Sequence, residues 1–451
     1  MNYLRHKLYL THLFSSLRSK FIPLRGRRPT SWGLLALGSP LIALSSKFIP
    51  LLVGLLALSF FSCSEKDPRP RIVIWHQMRV DEREILEAQI KKYTEQNPGI
   101  IVEQLYKETE ELRSGYIIAA IAGQGPDLVY GPSDQIGPFQ VMDIILPLED
   151  LFEKEWLESF NPKALTFFKG HLYQVADKLG NHLTLIYNKD IVKTPPQTDE
   201  ELIELCKKIM VIQNGKVQRY GLVWNYTEPF FFIPFLSGFG GWVMDDEGNP
   251  TLNTQANIDA LNFIKDLRDR YKIIPRESDY NIAEVLFKDG KAGMIINGDW
   301  SWAGYLKAGV NIGIAPLPKI TKTGLYCAPM VSPKGFSINS NVKKEKLPEV
   351  VKLLKYLMEP ENQLETAKLL NTMITRISLY DDPFIKNDEI LVNSRLQIER
   401  GKPMPVVPEL RAIWDAMRPS YQAVLGGAKT AEEAARDMQE LAIRKIKEMN
   451  E

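Results

Sequence analysis

The sequence predicts an α/β protein with two domains, each built on a sheet flanked by helices. Short apolar segments typical of buried strands alternate with amphipathic helical segments along the chain. With 451 residues, 45% of them apolar and 25% charged, the chain is long enough for two separate cores. No low-complexity linker divides it, so we expect several short strand crossings to join the domains.

The same order of elements occurs in two regions of the chain. Residues 71–75 (RIVIW) are a predicted buried strand, and Leu86, Ile90 and Tyr93 then fall on one face of a predicted helix. Residues 97–99 (NPG) end that helix before a second strand over residues 100–104. Later, a predicted helix over residues 255–272 is followed by another and then by an apolar strand over residues 292–296. Both regions therefore predict α/β sheet domains.

Four predicted helices begin at a capping residue that is followed three positions later by Glu. In this arrangement the two side chains can satisfy free backbone N–H groups at the helix start. The four pairs are Asp81 with Glu84, Thr198 with Glu201, Asn281 with Glu284, and Thr430 with Glu433.

The charge distribution argues against nucleic acid as a partner. Residues 1–62 hold eight Lys or Arg and no Asp or Glu, which leaves 48 basic and 55 acidic residues after them. The net charge from Cys63 onward is therefore −7, and no basic stripe is available to neutralise phosphates.

Cysteine and histidine positions predict neither a metal site nor a cofactor. The chain has no C-x-x-C motif, and the spacing of its histidines after the leader (His76, His171 and His182) does not match a zinc site. Cys206 and Cys327 could pair in an oxidising compartment, but we expect two separate, partly buried thiols.

The N-terminal region predicts export. Residues 47–62 (KFIPLLVGLLALSFFS) have the positive start, apolar stretch and small final residue of a secretory signal, and Cys63 follows at once. The segment resembles a bacterial lipoprotein signal, in which Cys63 would be lipidated and anchor the protein to the membrane. An uncleaved signal anchor and cleavage at another position are the alternatives. Residues 19–24 (SKFIPL) recur at 46–51, which indicates either a translation start placed too far upstream or a tandem signal.

Six segments in a fixed order resemble one known family. They are residues 123–127 (GQGPD), 185–190 (LIYNKD), 195–201 (PPQTDEE), 228–231 (EPFF), 296–302 (INGDWSW) and 404–414 (MPVVPELRAIW). The family is that of the extracellular solute-binding proteins of sugar ABC importers, in particular its maltose- and maltodextrin-binding members. The resemblance extends from about residue 71 to residue 446 and rests on the order of the segments.

This resemblance implies a two-lobed, periplasmic-binding-protein-like fold of type II, in which each lobe is a mixed sheet flanked by helices. The expected divisions are a leader (1–62), a tether (63–70), lobe 1 (71–180 and 336–384) and lobe 2 (184–331 and 390–451), with hinge crossings near 181–184, 331–336 and 384–389. A protein of this kind is a monomer without a cofactor. It captures a sugar or glycoside between the lobes and delivers it to a membrane permease by closing.

The resemblance also assigns ligand-binding roles to individual residues. Sugars are held by flat aromatic faces and by groups that bond pairs of hydroxyls. The stacking aromatics are Trp300, Trp414, Phe230 and Phe231, the acids are Glu228 and Asp134, and the contacting thioether is Met404. The alternative roles are core aromatics, a helix cap or exposed charge for the acids, and a core methionine.

Several positions of the family's binding site carry different residues here. Gly131 stands where the family has a stacking Trp, and Gln135 stands where it has an Arg. Acids of the family are replaced at four further positions, by Asn181 (for a Glu), Arg79 (for an Asp), Arg113 and Ser114. We keep Gln135, Asn181 and Arg79 as ligand-binding candidates. The lost aromatic predicts fewer stacked rings, so a disaccharide, a trehalose-like sugar or a small glycoside fits as well as a long dextrin.

Two other functions compete with sugar capture. Glu228, Asp134 and Asp299 could supply the acid pair of a glycan-cleaving enzyme, which needs two carboxyl groups about 5–10 Å apart. A polyamine or other small polar solute could also occupy a site of acids and aromatics.

Overall fold

The computed structural model describes residues 67–450, and the chain forms one compact unit from Pro68 onward. The predicted leader and the lipidation site Cys63 lie outside the described residues. The strands are β1 (Arg71–His76), β2 (Ile101–Tyr106), β3 (Leu128–Pro132), β4 (Leu165–Phe168), β5 (His171–Gly180), β6 (Leu183–Asn188), β7 (Val211–Gln213), β8 (Lys216–Trp224), β9 (Ala292–Gly298), β10 (Ile312–Ala315), β11 (Lys319–Ile320), β12 (Leu325–Tyr326), β13 (Met330–Ile338), β14 (Met373–Ile374) and β15 (Lys402–Pro403).

Helices fill most of the sequence between the strands. They are α1 (Val80–Gln96), α2 (Thr109–Ile121), α3 (Ile136–Val141), α4 (Lys154–Glu158), α5 (Asp199–Ile209), α6 (Pro229–Gly238), α7 (Gln255–Asp269), α8 (Tyr280–Lys288), α9 (Trp302–Lys307), α10 (Leu347–Leu357), α11 (Pro360–Leu370), α12 (Pro383–Asn387), α13 (Glu389–Arg400), α14 (Glu409–Leu425) and α15 (Ala431–Asn450). Two short 3₁₀ turns, Ser133–Gln135 after β3 and Asp299–Ser301 after β9, carry predicted site residues. No helix within residues 67–450 combines the length and apolarity needed to span a bilayer.

The strands form two mixed sheets, which confirms the predicted α/β class. The first has the order β14-β5-β13-β3-β1-β2, with β15 added to β13 and β4 to β5. The second has the order β10-β6-β9-β8-β7. In the first sheet β1 is parallel to β2 and β3, whereas β13 is antiparallel to β3 and β5. We refer to each sheet with its packed helices as the eight-stranded half and the five-stranded half.

Each half has apolar cores of its own. Leu86 and Tyr93 of α1 pack with Phe336 of β13 on one face of the eight-stranded sheet, as the helical spacing predicts. In the five-stranded half, β9 is buried along its whole length between clusters on both faces. Such double coverage favours the continuous apolar run that identified this strand in the sequence.

Two segments connect the halves directly. The chain leaves the eight-stranded sheet at the end of β5 and enters the other sheet at β6, with only Asn181 and His182 between them. It returns through β13, whose Met330 packs in a core of the five-stranded half and whose Phe336 packs in a core of the eight-stranded half. A later connection runs through α12 and α13, which are separated by the single residue Asp388. The exact lobe boundaries stay a prediction.

Two of the four predicted helix starts are confirmed. The Thr198 hydroxyl accepts a hydrogen bond from the Glu201 N–H at 3.2 Å. Thr430 and Glu433 bond each other's backbone N–H groups at 3.2 and 2.9 Å, a complete capping box. In both cases the local chemistry of the pair is enough to fix the first turn.

The other two predicted starts are wrong because a better acceptor lies nearby. Helix α1 begins after Arg79, and the Glu82 carboxylate accepts the Arg79 N–H at 2.8 Å. Helix α8 begins after Asp279, whose carboxylate accepts the Ile282 N–H at 2.8 Å. Asp81 and Asn281 therefore lie inside helices instead of capping them.

Cys206 and Cys327 are both buried and unpaired, so they are two separate thiols. Each is completely inaccessible to solvent, and burial raises the pKa of both thiols far above its usual value. A thiol that stays protonated is a poor nucleophile, so both side chains act as small apolar core residues.

Candidate functional site

Trp300 lies at the carboxyl end of β9, on the turn that follows Gly298. Its indole Nε1 donates a hydrogen bond to the Tyr280 hydroxyl at 3.1 Å, and its ring centroid is 6.3 Å from that of Phe230. A Cβ atom at Gly298 would lie 2.1 Å from the Trp300 ring, so the strand must end in glycine for the ring to fold back on it. Trp300 is therefore held in one orientation while remaining partly exposed.

Phe230 and Phe231 occupy the first turn of α6. Pro229 begins this helix, where its missing N–H costs no hydrogen bond. The two phenyl rings meet edge to face with centroids 5.8 Å apart, and Phe231 packs against Tyr280 as well. Phe231 is buried, whereas Phe230 is partly exposed beside Trp300. The structure thus brings Phe230 and Trp300 together, with Phe231 as their support.

Trp414 and Met404 are more deeply placed than Trp300. Trp414 lies on α14 with 8% of its surface exposed, and Met404 has the same exposure. Both side chains belong to the core of the five-stranded half, and the Met404 N–H donates to the Val331 carbonyl at 2.9 Å. Their predicted contact with a ligand is limited to the small surface that remains accessible.

Asp134 projects from the turn after β3 and pairs with Arg113 of α2. The Arg113 Nη2 donates to Asp134 Oδ2 at 2.7 Å, and the carboxylate is 9% exposed. Burial raises the pKa of Asp134, and the neighbouring Arg113 guanidinium opposes that rise. The other carboxylate oxygen, Oδ1, is buried without a hydrogen-bond partner among the described residues. The Arg113 Nε is in the same situation, so the pair has one acceptor and one donor that are not used within the described residues.

Gln135 occupies the space that a side chain at position 131 would need. A Cβ atom on Gly131 would lie 2.6 Å from the Gln135 Oε1. Gln135 itself is buried, and its amide nitrogen donates to Gln77 Oε1 at 3.4 Å. The Gln135 amide therefore occupies the space beside Gly131 that an aromatic ring at position 131 would need.

Glu228 directly precedes α6, and its side chain, which makes no capping hydrogen bond, is held by Arg418 of α14. Arg418 donates from Nε at 3.1 and 3.2 Å and from Nη2 at 3.0 Å, so that the guanidinium engages both carboxylate oxygens. The hydrogen bond with Glu228 raises the pKa of Arg418. Two-pronged pairing of this kind fixes the orientation of the carboxylate.

Asn181 lies in the direct connection between the two sheets. Its backbone has a φ of 43°, a left-handed conformation that Asn tolerates better than most residues. Its N–H donates to Asp299 Oδ2 at 3.2 Å, and its Nδ2 donates to Ser332 Oγ at 3.1 Å. Asn181 therefore links the turn that carries Trp300 to strand β13.

Arg79 bridges the two halves. Its Nη1 donates to the Tyr280 hydroxyl at 3.0 Å, and its guanidinium lies 5.3 Å from the centroid of the Tyr280 ring. Because Arg79 precedes α1 and Tyr280 begins α8, this contact joins the eight-stranded half to the aromatic group. Tyr280 was not among the predicted site residues, and no sequence motif marks it.

A buried ionic cluster lies behind Trp300 and was also not predicted. Lys178 donates to Glu82 at 2.7 Å, and the Lys334 ammonium lies 3.8 Å from the same carboxylate. Burial alone would raise the pKa of Glu82, but the two ammonium groups lower it well below its usual value. The Lys334 ammonium is also 5.8 Å from the centroid of the Trp300 ring.

Known proteins with similar sequences and folds identify the family of this chain. The family described as bacterial extracellular solute-binding protein matches residues 88–393. The maltose/maltodextrin-binding domain MalE from Bdellovibrio bacteriovorus, solved with bound maltotriose, has a TM-score of 0.81 and 46% identity, covering 84% of this chain and 100% of that one. The maltotriose-binding protein of Pyrococcus abyssi (strain GE5 / Orsay) is 28% identical over 371 residues, 80% of this chain and 79% of that protein.

A further relative has a different sugar in its name. The galactooligosaccharide-binding protein of Bacillus subtilis (strain 168) is 28% identical over 364 residues, 77% of this chain and 82% of that protein. The family match covers more than half of the sequence, and the chain belongs to the bacterial extracellular solute-binding proteins. Its fold is the type II, two-lobed fold of the maltose-binding members, as the sequence predicts.

Proposed function

We propose that this protein captures a short neutral oligosaccharide and delivers it to the membrane subunits of an ABC importer. The observation that carries the proposal is the partly exposed pair of Trp300 and Phe230, fixed beside polar groups of both halves. An aromatic face contacts the C–H side of a sugar ring, while hydroxyls need donors and acceptors at the ring edge. The MalE domain that is 46% identical to this chain was solved with maltotriose in place.

The charge balance of the site favours a neutral ligand over a polyamine. Glu228 is neutralised by Arg418, and Asp134 by Arg113. Arg79 lies over the Tyr280 ring and Lys334 over the Trp300 ring, and each has an acid partner of its own, Glu284 and Glu82. A polyamine would need carboxylates free to pair with its ammonium groups, whereas the two predicted binding acids are already paired with arginines.

The size of the proposed sugar follows from the Gly131 and Gln135 arrangement. Position 131 is a glycine and offers no stacking ring, and the Gln135 amide occupies the space beside it. A longer dextrin that extended past position 131 would find no aromatic ring there to contact. We therefore propose a ligand of two or three rings, in agreement with the maltotriose named for two relatives.

Catalysis is not part of this proposal. Glu228 is held by two prongs of Arg418, which leaves it poorly placed to act as a nucleophile or an acid. The relatives named above are described as binding proteins. Incubation with maltotriose, followed by chromatography of the products, tests this point, since cleavage would support the enzyme alternative.

The proposed cellular setting is the outer face of the cell membrane. Cys63 is the proposed lipid attachment site, and a maltooligosaccharide-binding relative is described as a lipoprotein. A Cys63→Ser variant should be released from the membrane or remain unprocessed. Unchanged retention and processing of that variant would contradict the anchor.

The ligand itself can be identified by thermal stabilisation. The purified protein is heated with maltose, maltotriose, maltoheptaose, trehalose, a galactooligosaccharide or spermidine. A solute present at about a hundred times its dissociation constant adds about 2.7 kcal/mol to the free energy of unfolding. We expect stabilisation by maltotriose and not by spermidine, and the reverse result would overturn the assignment to sugars.

A further inference from the structure

Seven charged side chains form a continuous chain that joins the two predicted sugar-binding acids. We call it the ion-pair chain. Its members, in order, are Asp134, Arg113, Glu110, Arg411, Asp415, Arg418 and Glu228, and the successive N···O distances are 2.7, 3.6, 2.8, 3.6, 3.7 and 3.0 Å.

The ion-pair chain alternates in sign at every step, and helix spacing produces this order. Glu110 and Arg113 are three residues apart on α2, so their side chains lie on one face of that helix. Arg411, Asp415 and Arg418 follow at spacings of four and three on α14. Helices α2 and α14 therefore each carry charges of alternating sign along one face.

One link of the ion-pair chain crosses between the halves. Glu110 belongs to α2, which packs on the eight-stranded sheet, and Arg411 belongs to α14 in the core of the five-stranded half. The other five links each lie within one half. Separation of the halves would break the contact of Glu110 with Arg411 and leave the rest of the ion-pair chain intact.

The charges of the ion-pair chain act on each other across the contact of Glu110 with Arg411. Burial raises the pKa of Asp134, and this rise is opposed by Arg113 and, from the opposite half, by Arg411. Burial alone would lower the pKa of Arg113, but Asp134, Glu110 and, from the opposite half, Asp415 raise it. Glu110 likewise raises the pKa of Arg418. The two acids of the site therefore experience each other's helices when the halves are together.

We infer that the pair of Glu110 and Arg411 is a closure latch, which favours the closed arrangement of the halves and thereby tightens sugar binding. This inference rests on the proposed function, since it concerns the same cleft. It has an unusual consequence: the affinity for an uncharged sugar should depend on salt. Glu110 and Arg411 are 51% and 36% exposed, so dissolved ions can screen their attraction.

The test measures maltotriose affinity by calorimetry for the wild type, Glu110→Gln and Arg411→Gln. An exposed ion pair of this type changes an equilibrium by about two- to fivefold. Each variant should therefore bind maltotriose about two- to fivefold more weakly at about 0.01 M ionic strength. Between about 0.01 and 0.15 M, where the Debye length falls from roughly 30 to 8 Å, only the wild type should lose affinity.

A charge-swapped variant tests whether Glu110 and Arg411 act as part of the ion-pair chain or as an isolated pair. The double variant Glu110→Arg with Arg411→Glu restores attraction between the two positions, but it places a guanidinium beside Arg113 and a carboxylate beside Asp415. The ion-pair chain predicts that affinity stays low in this variant. Recovery of the wild-type affinity would overturn the role of the chain.

The matched control is another ion pair between the halves. Lys307 of α9 lies 3.3 Å from Glu84 of α1, but both side chains are more than 60% exposed and neither contacts a site acid. Lys307→Gln should bind maltotriose within about 1.5-fold of the wild type. A loss equal to that of Glu110→Gln would show that any contact between the halves suffices and would overturn the latch.

A measurement without ligand tests the latch independently of the proposed sugar. Small-angle scattering of the protein without ligand should give a larger radius of gyration at high salt than at low salt, because screening weakens the latch. An equal radius for the wild type and Glu110→Gln at low salt would reject the latch. Failure of the wild type to bind maltotriose, with the salt-dependent radius present, would instead reject the proposed function.

Discussion

The two halves of the cleft contribute different chemistry. The five-stranded half supplies aromatic side chains, with Trp300 and Phe230 partly exposed and Phe231 and Trp414 buried in its core. The eight-stranded half supplies buried charges, namely the Asp134 and Arg113 pair and the Glu82 cluster, whereas the Glu228 and Arg418 pair of the five-stranded half is partly exposed. An aromatic ring is supported by the core beneath it, whereas a buried charge depends on its partners. The two halves should therefore respond differently to substitution.

The largest effect is expected from Lys178→Met in the eight-stranded half. This change leaves Glu82 buried beside a single, more distant ammonium group, and removing one partner of a buried pair costs about 3–5 kcal/mol. Urea unfolding measures the loss. The double variant Lys178→Met with Glu82→Leu removes both charges and should recover most of the stability. A single variant as stable as the wild type would contradict the buried pair.

Substitution of Trp300 and Trp414 compares a partly exposed tryptophan with a buried one in the five-stranded half. Trp300→Ala should weaken maltotriose binding by at least about thirtyfold, which corresponds to more than 2 kcal/mol, with a smaller effect on folding. Trp414, which is 8% exposed, should mainly lose folding stability, by about 3 kcal/mol. Calorimetry and urea unfolding on each variant separate the two effects. Trp300→Phe, which retains an aromatic face, is the control.

If folded Trp300→Ala binds with full affinity, the stacking role is rejected. If Trp414→Ala folds normally but loses binding, Trp414 belongs to the site more than to the core.

Acid should destabilise the protein through His76 of the eight-stranded half. Burial lowers the pKa of His76 to about 4, against the opposing hydrogen bond with Gln104. The folded pKa lies below the unfolded value, so this stability is present above about pH 6.5 and is lost as the pH falls towards 4. We expect a loss of about 2 kcal/mol by pH 4.5.

Urea unfolding at several pH values checks this window. His76→Gln should flatten the dependence between pH 6.5 and 4, and buried His182, whose pKa burial also lowers, should account for part of what remains. His171→Gln replaces an exposed imidazole and serves as control. An unchanged slope in His76→Gln would contradict the prediction.

The smallest effect is expected where the halves meet at Arg79. Arg79→Gln removes the hydrogen bond and ring contact with Tyr280, and partly exposed contacts of this type contribute about 0.5–1 kcal/mol. Maltotriose affinity should fall about two- to fivefold by calorimetry. Arg79→Lys keeps the charge without the planar guanidinium, so an equal loss in both variants would show that geometry matters more than charge.

Local sequence signals predicted the elements whose causes are local. Thr198 and Thr430 cap their helices because the partner Glu lies in the next turn. The prediction for α7 extended to residue 272, but the helix ends at Asp269, and Lys272 adopts a left-handed φ of 55°. Helix ends depend on such single-residue conformations, which apolar periodicity does not report.

The partners within the site could not be predicted because they depend on long-range packing. Lys178 and Lys334 face the same carboxylate because the pairing of β5 with β13 places these two residues, 156 positions apart in the chain, opposite each other. Tyr280 reaches Trp300 and Arg79 through the packing of α8 on the sheet. The resemblance assigned binding roles to the aromatic and acidic positions, but it could not reveal that arginines hold both acids.

The two buried thiols make this protein convenient for optical work. Since Cys206 and Cys327 are completely inaccessible, a maleimide dye should react with neither while the protein is folded. A single cysteine introduced at the exposed position of Glu84, close to where α1 meets α9, would then be the only reactive thiol among the described residues. An environment-sensitive fluorophore at that point would convert closure into a change of emission, which would make the molecule a sensor for its own solute.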